Sequence, residues 1–233
     1  MLIEMLNGKH LNSHFNYFFM KIISIKILIS IYTLFLNISC TDSKRPAIIK
    51  KPVKQEIVKI IPKNKYGGEY YPYKMIQNDT KRVGLNFLDN GYDSMFIRLW
   101  YVYNSFMQVT DLKISNGNWS GEVHNMNLGF IDYKTEVTNI NTTKVFPKSP
   151  WNIFIGKLFS LNILDMPDDS ELSDYHSSTD ASFVIVEIAT KERYKIYSYS
   201  EPFMHLELPS ATKMENILKL IEEELGVKRH GKL

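Results

Sequence analysis

The chain of 233 residues contains a single cysteine, Cys40, and this limits how its fold can be stabilised. A lone cysteine cannot form a disulfide within one molecule. It also cannot supply the paired CxxC ligands of common structural zinc sites. The folded part must therefore rely on its apolar core. The roughly 170 residues from position 66 onwards fit one domain, and no internal repeat divides them.

Strand signals dominate the first half of residues 66–233. Residues 94–103 ("SMFIRLWYVY") are rich in aromatic and β-branched side chains. The dipeptide Asn116-Gly117 suits a two-residue hairpin turn between two further strand segments. Residues 130–140 are a candidate for another strand, and "TKE" joins a second hairpin, "SFVIVEIA" with "RYKIYSYS". Alternation places these residues on one face of their strands: Met95, Ile97, Leu99, Tyr101, Val184, Val186 and Ile188.

A first amphipathic helix is predicted within "KSPWNIFIGKLFSLNIL". Ser149 is its expected N-cap, and Pro150 would occupy the first helical position. Helical spacing then relates five apolar residues: Trp151, Phe154, Ile155, Leu158 and Leu161.

A second amphipathic helix is predicted over residues 212–225. Thr212 and Glu215 form a T-x-x-E capping box, and Gly226 ends the helix. Its apolar stripe consists of Met214, Ile217, Leu218, Ile221 and Leu225. Grouped strands with two such helices, instead of alternating βαβ units, predict an α+β fold. We expect a mainly antiparallel β-sheet with the two helices packed on it. A helix-free sandwich is the alternative.

The N-terminal segment has the pattern of a secretory signal peptide. Lys21 and Lys26 precede the uncharged run "ILISIYTLFL", residues 27–36. A membrane-spanning helix would need about 20 predominantly apolar residues, and this run is shorter. Residues 1–39 are therefore predicted to be a cleaved leader. Because residues 1–19 add nothing that a signal peptide needs, Met20 is a candidate for the true start.

The end of the leader resembles a bacterial lipobox, in which a small residue precedes a cysteine that becomes the lipid-modified N-terminus. Here "LNISC" places Ser39 before Cys40. Leu36 stands at −4, where the strict pattern has leucine at −3. Ordinary signal peptidase cleavage before Cys40 is disfavoured, because Asn37 would occupy −3. The resemblance implies lipidation at Cys40. The alternatives are a cysteine in a transmembrane anchor or a free thiol in a buried core.

Charge is unevenly distributed after the leader. Residues 41–65 contain eight Lys or Arg against Asp42 and Glu56, whereas residues 66–233 contain 17 basic and 22 acidic side chains. We therefore predict a basic tether over residues 40–65 and an acidic domain over residues 66–233. The tether is either a solvated linker or a segment that meets anionic headgroups. An acidic domain does not favour nucleic acid as a partner.

The layout of residues 150–225 resembles small exported bacterial lipoproteins of uncharacterised function. The similar parts are "WNIFIGKLFSL", "STDASFVIVEIATKERYKIYSY" and "MENILKLIEEEL". The resemblance implies a place in the cell envelope, facing the periplasm or the cell surface, and it implies no catalytic residues.

Motifs for nucleotide, phosphate and zinc-dependent chemistry are absent from the sequence, which points to no cofactor. The acidic run "LDMPDDSELSDYHSSTD" (residues 164–180) offers candidate metal ligands and a candidate acid–base pair. The metal candidates are Asp168, Asp169 and Asp174, and the catalytic candidates are His176 and Asp180. The run lacks the alternation and the glycine of a calcium loop. A solvated connector is the competing interpretation.

Clustered tyrosines form the second candidate site: Tyr66, Tyr70, Tyr71 and Tyr73. Such rings offer apolar area with a polar tip, which suits a carbohydrate or a protein partner. Tyrosines that cover one edge of the sheet are the alternative, and Pro72 argues against a central strand.

Taken together, these patterns favour a lipid-anchored, non-enzymatic envelope protein that binds a partner or ligand. Two other hypotheses remain open. One is an exported hydrolase that uses the His176–Asp180 region. The other is an immunity-type inhibitor that captures a toxin through the acidic face.

Overall fold

A computed structural model describes residues 56–64, 68–131, 134–176 and 181–229. The described residues belong to one compact unit, Lys54–Leu233. The predicted signal peptide, Met20, Cys40 and most of the predicted tether lie outside them.

Within the described residues, seven strands form one sheet, and all but one neighbouring pair is antiparallel. The order across the sheet is β1-β7-β6-β2-β3-β4-β5, and β1 runs parallel to β7. The strands are β1 (Val58–Ile60), β2 (Met95–Tyr103), β3 (Phe106–Ser115), β4 (Asn118–Ile131), β5 (Lys134–Val145), β6 (Phe183–Thr190) and β7 (Arg193–Ser200). The three residues of β1 fall inside the segment whose composition predicts a tether.

The predicted Asn-Gly turn lies between β3 and β4. Asn116 and Gly117 have φ values of 51° and 77°, the left-handed conformations that this type of hairpin turn requires. The second predicted hairpin is β6 with β7, and its strands pair from Phe183–Ser200 to Ala189–Tyr194. Both hairpin predictions are confirmed.

Three helices pack on the two faces of the sheet: α1 (Tyr71–Val83), α2 (Trp151–Ser160) and α3 (Pro209–Leu225). Helices α2 and α3 cover the face that carries Ile97, Leu99 and Tyr101, together with the predicted face of β6. Helix α1 contributes Ile76 to the opposite face, where Trp100 is fully buried. Helix α1 also contacts both β7 and β5, the second and last strands in the order, so the sheet curves around it.

The α+β class is confirmed, but the prediction of two helices was wrong, because the described residues contain three. Helix α1 lacks a continuous apolar stripe: beside Ile76 its buried positions are Asp79 and Thr80. Sequence periodicity therefore does not reveal it. The start of α1 is also hard to predict, because tyrosines and a proline are not typical signals of a helix start. Pro72 lies in the first turn, where proline is tolerated. The helix-free sandwich is excluded.

The predicted helix starts were also wrong. Ser149 does not cap α2: the N-cap is Pro150, and the Ser149 N–H donates to Glu224 Oε2 at 2.9 Å. Helix α3 begins at Pro209, before the predicted capping box. Thr212 Oγ1 donates to the Leu206 carbonyl at 2.7 Å, and Glu215 binds Arg229. Ser149, Thr212 and Glu215, which were predicted to cap helices, instead bond to groups elsewhere in the fold.

The stripe of α3 faces the core as predicted. Ile217, Leu218, Ile221 and Leu225 are all buried, and Gly226 ends the helix with φ at 67°. Burying each Leu or Ile side chain stabilises the fold by about 1.5–3 kcal/mol, which explains why this helix is readable from its apolar spacing.

Candidate functional site: a tyrosine-lined cleft

A cleft of about 480 Å³ lies beside Phe183, the first residue of β6, and Ser198, near the end of β7. We call it the tyrosine cleft. The lining comes from the segment after β1, from the start of α1, from the acidic run, and from strands β6 and β7. Its residues are Lys63, Asn64, Tyr70, Tyr71, Pro72, Asp169, Ser170, Tyr175, His176, Phe183 and Ser198. The structure thus brings the tyrosine cluster and the acidic run to one place. The volume is within the range of about 300–1,000 Å³ that is usual for small-molecule sites.

Tyr70 forms part of the floor of the cleft. It is the N-cap of α1, and its backbone is extended, which turns the side chain away from the helix. The ring is 7% exposed. Its hydroxyl donates to the Asp168 carboxylate and lies 2.8 Å from Ser198 Oγ. Burial, and then the Asp168 charge, raise the pKa of Tyr70 well above its ordinary value, so this hydroxyl stays protonated and acts as a donor.

Asp168 is the centre of this floor and is only 1% exposed. It caps the short 3-10 helix Asp169–Glu171 by accepting the Ser170 N–H at 3.1 Å. Its other oxygen accepts the Ser198 N–H at 2.8 Å as well as the Tyr70 hydroxyl. Because both oxygens are occupied by protein donors, Asp168 has a structural role and is not available as a metal ligand.

The next residues of the acidic run also hold the strand β7. Asp169 Oδ2 accepts the Ser200 N–H at 3.0 Å, and the Tyr175 hydroxyl donates to the Ser200 carbonyl. The Tyr175 ring packs 4.2 Å from the His205 ring, centroid to centroid, with an interplanar angle of 36°. These bonds fix the floor of the cleft.

The rim of the cleft is open to solvent. Tyr71 is 64% exposed, and both His176 and Lys63 are exposed. No group of three or more His, Cys, Asp or Glu side chains suited to a metal ion occurs among the described residues. Asp174 is exposed, receives a bond from Ser173 Oγ at 3.2 Å, and does not line the cleft.

The remaining candidates have other positions. Tyr73 points away from the cleft: its hydroxyl donates to Asp89 Oδ2 at 3.0 Å, and burial with this bond raises the pKa of Tyr73 to about 12. Tyr66 and Asp180 lie outside the described residues. The structure therefore brings together Tyr70, Tyr71, Asp169 and His176 of the predicted site residues, with Asp168 directly beneath them.

Sequence reasoning did not predict the other seven residues of the lining, which are Lys63, Asn64, Pro72, Ser170, Tyr175, Phe183 and Ser198. Nothing marks these residues locally. Phe183 and Ser198 lie inside strands whose alternation explains them as structural, and only the pairing of β6 with β7 places them beside the acidic run.

A second cluster of ionisable groups lies within the α1 face of the sheet. The Arg98 guanidinium binds Asp111 through two bonds, Nε to Oδ1 at 2.7 Å and Nη2 to Oδ2 at 2.9 Å. Glu187 lies 4.0 Å from Arg98 Nη1 and accepts from Trp100 Nε1 at 2.7 Å and the Tyr194 hydroxyl at 2.9 Å. Burial raises the pKa of Glu187, against the lowering effect of Arg98. This cluster is fully enclosed, and we interpret it as structural.

No protein-family model, no curated protein and no solved structure matches this chain. Within the part of the chain that the structure describes, no helix is both long and apolar enough to cross a membrane.

Proposed function

We propose that this chain is a lipid-anchored protein of the bacterial cell envelope, and that its domain binds a ligand or partner in the tyrosine cleft without catalysing a reaction. The observation that carries the binding proposal is the cleft itself. Two segments with independent signals in the sequence, the tyrosine cluster and the acidic run, line the same concavity.

The geometry of the lining favours binding over hydrolysis. A hydrolase that works through a serine or cysteine nucleophile would need that nucleophile hydrogen-bonded to a base. The hydroxyls of Ser170 and Ser198 instead bond to Asp168, which is engaged in holding the floor. His176 is exposed at the rim. A rigid floor surrounded by aromatic and polar groups is typical of small-molecule sites.

The anchor is supported by the leader and by Cys40. One acyl chain holds a protein to a membrane only marginally, and stable attachment takes two signals. A diacylated Cys40 followed by the five basic residues in positions 41–55 would supply more than one.

Lipidation makes a direct prediction for the N-terminus. We expect the mature protein in its native or a closely related host to begin at an acylated Cys40, and mass spectrometry of the N-terminal peptide measures this. Cys40→Ser should abolish both the modification and processing by the lipoprotein peptidase. An unmodified Cys40 in an uncleaved chain, or cleavage at another position, would contradict the anchor.

Binding in the cleft makes a second prediction. The mature protein immobilised on a resin should retain a component of envelope extracts, and Tyr71→Ala should remove most of that retention because Tyr71 is the most exposed tyrosine of the lining. Phe146→Ala is the matched control, since Phe146 is 73% exposed and does not line the cleft. Equal retention by all three proteins would argue against the cleft as the binding site. Turnover of the retained component by wild type would favour the hydrolase.

A further inference from the structure

We infer that the ligand of the tyrosine cleft is a neutral saccharide of a few rings. This inference rests on the proposed function, because it assumes that the cleft is a ligand site, and it names the chemical class of that ligand.

The size and shape of the cleft favour a small molecule over a protein surface. A standard protein–protein interface buries roughly 800 Å² on each partner and is spread over 20–30 residues. The cleft is a local concavity of about 480 Å³, formed by short stretches of chain around positions 64, 71, 170 and 176. A ligand of a few linked rings fits such a concavity, and a folded partner does not enter it.

The charge of the lining favours a neutral ligand. Among the described residues of the lining, Lys63 is the one cation and Asp169 the one anion, and His176 is the only other ionisable group besides tyrosine. A phosphate or carboxylate ligand would need an excess of cationic donors, as Arg and Lys clusters provide at known anion sites. The lining offers no such excess.

The alternation of apolar and polar groups selects a saccharide among neutral ligands. Each sugar ring has an apolar face of C–H groups and a rim of hydroxyls. Tyr71, Pro72 and Phe183 offer apolar surface to the face of C–H groups. The polar side chains that can bond to the sugar hydroxyls are Lys63, Asn64, Ser170 and His176. An acyl chain offers no hydrogen-bonding group to these polar side chains.

The floor of the cleft is organised before the ligand arrives. The Tyr70 hydroxyl is held by Asp168 and Ser198, and the Tyr175 ring is held between Ser200 and His205. A pre-organised site reduces the entropy lost on binding. Weakly bound ligands such as sugars depend on this saving, because each of their hydroxyl groups must first give up water.

The test is isothermal titration calorimetry with the full mature protein in a detergent that lacks a sugar headgroup. The probes are three neutral oligosaccharides: cellotriose, maltotriose and N,N′,N″-triacetylchitotriose. We expect at least one to bind, and Tyr71→Ala to weaken that binding about tenfold or more, which corresponds to about 1.4 kcal/mol. Tyr71→Phe should bind within about twofold of wild type, because stacking uses the ring face. Phe146→Ala should bind as wild type does.

The outcomes separate this inference from the proposed function. If no oligosaccharide binds while Tyr71→Ala still abolishes retention from envelope extracts, the saccharide is wrong and the cleft remains a binding site. If neither binding nor retention occurs, both proposals fail. Oligosaccharide binding that Tyr71→Ala leaves unchanged would place the sugar elsewhere and overturn the inference.

Discussion

Arg98→Met is expected to lower the free energy of unfolding by about 3–5 kcal/mol, the usual effect of removing one partner of a buried ion pair. The Arg98 side chain is 1% exposed, and besides Asp111 it binds the Asn86 carbonyl at 2.9 Å. Methionine would retain much of the volume but no donor. The carboxyls of Asp111 and Glu187 would then stay buried without their cation. The loss would therefore come from uncompensated charge and not from a cavity.

The size of this effect should depend on pH. Burial raises the pKa of Asp111, but His124 and Arg98 together lower it by more than burial raises it. The pKa of Asp111 in the folded protein therefore lies below its ordinary value. A lowered folded pKa contributes stability above the unfolded pKa, and this stability is lost as pH falls through the folded value. Glu187 behaves oppositely, because its pKa is raised: its contribution is present below the unfolded pKa and is lost as pH rises.

Without Arg98 both carboxyls would bind protons more tightly. The destabilisation by Arg98→Met should thus be larger near pH 7.5 than near pH 5, where protonation of the two carboxyls relieves the buried charge. Urea denaturation of the wild type and the variant at pH 7.5 and at pH 5 measures the loss of stability and its dependence on pH. Arg193→Met is the matched control: Arg193 pairs with Asp165 at 3.0 Å on the surface, where such pairs contribute about 0–1 kcal/mol. Equal effects at both arginines would contradict the prediction.

Asp168→Ala is expected to lower the free energy of unfolding by about 1–3 kcal/mol, the usual cost of a buried polar group left without its partner. The Ser198 N–H, at a position that is 3% exposed, would lose its acceptor, and the buried Tyr70 hydroxyl would keep only Ser198 Oγ. Hydrogen exchange gives a local reading. The Ser198 amide should exchange faster in the variant, since its acceptor is gone.

Asp174→Ala is the control for this change, in the same acidic run. Asp174 is exposed, so its removal should change stability by no more than about 0.5 kcal/mol. If the two aspartates had equal effects, the acidic run would be a solvated connector throughout, and Asp168 would not hold the floor of the cleft.

The burial of Asp111 and of Asp168 was not predicted from the sequence, for different reasons. Arg98 and Asp111 lie in strand segments rich in apolar and β-branched residues, where a charge can signal a buried ion pair, but no pairing was predicted from that signal. Asp168 stands among five other acidic residues of a run, and nothing local distinguishes it from Asp174. Their difference in exposure arises only when β7 passes beside Asp168.

The sequence by itself determined those elements whose apolar residues recur at regular spacing. Strands β2, β3, β6 and β7, the Asn116-Gly117 turn, and the buried faces of α2 and α3 all follow from periods of two and 3.6, because burying an apolar face dominates the energetics of each element. The tertiary structure alone decided α1, the starts of α2 and α3, and the tyrosine cleft. Tyr70 and Asp168 are 98 positions apart, and Asp168 and Ser198 are 30 apart. Hydrogen bonds act over about 3 Å in space whatever the separation along the chain, so no local pattern can assign these partners before the sheet brings them together.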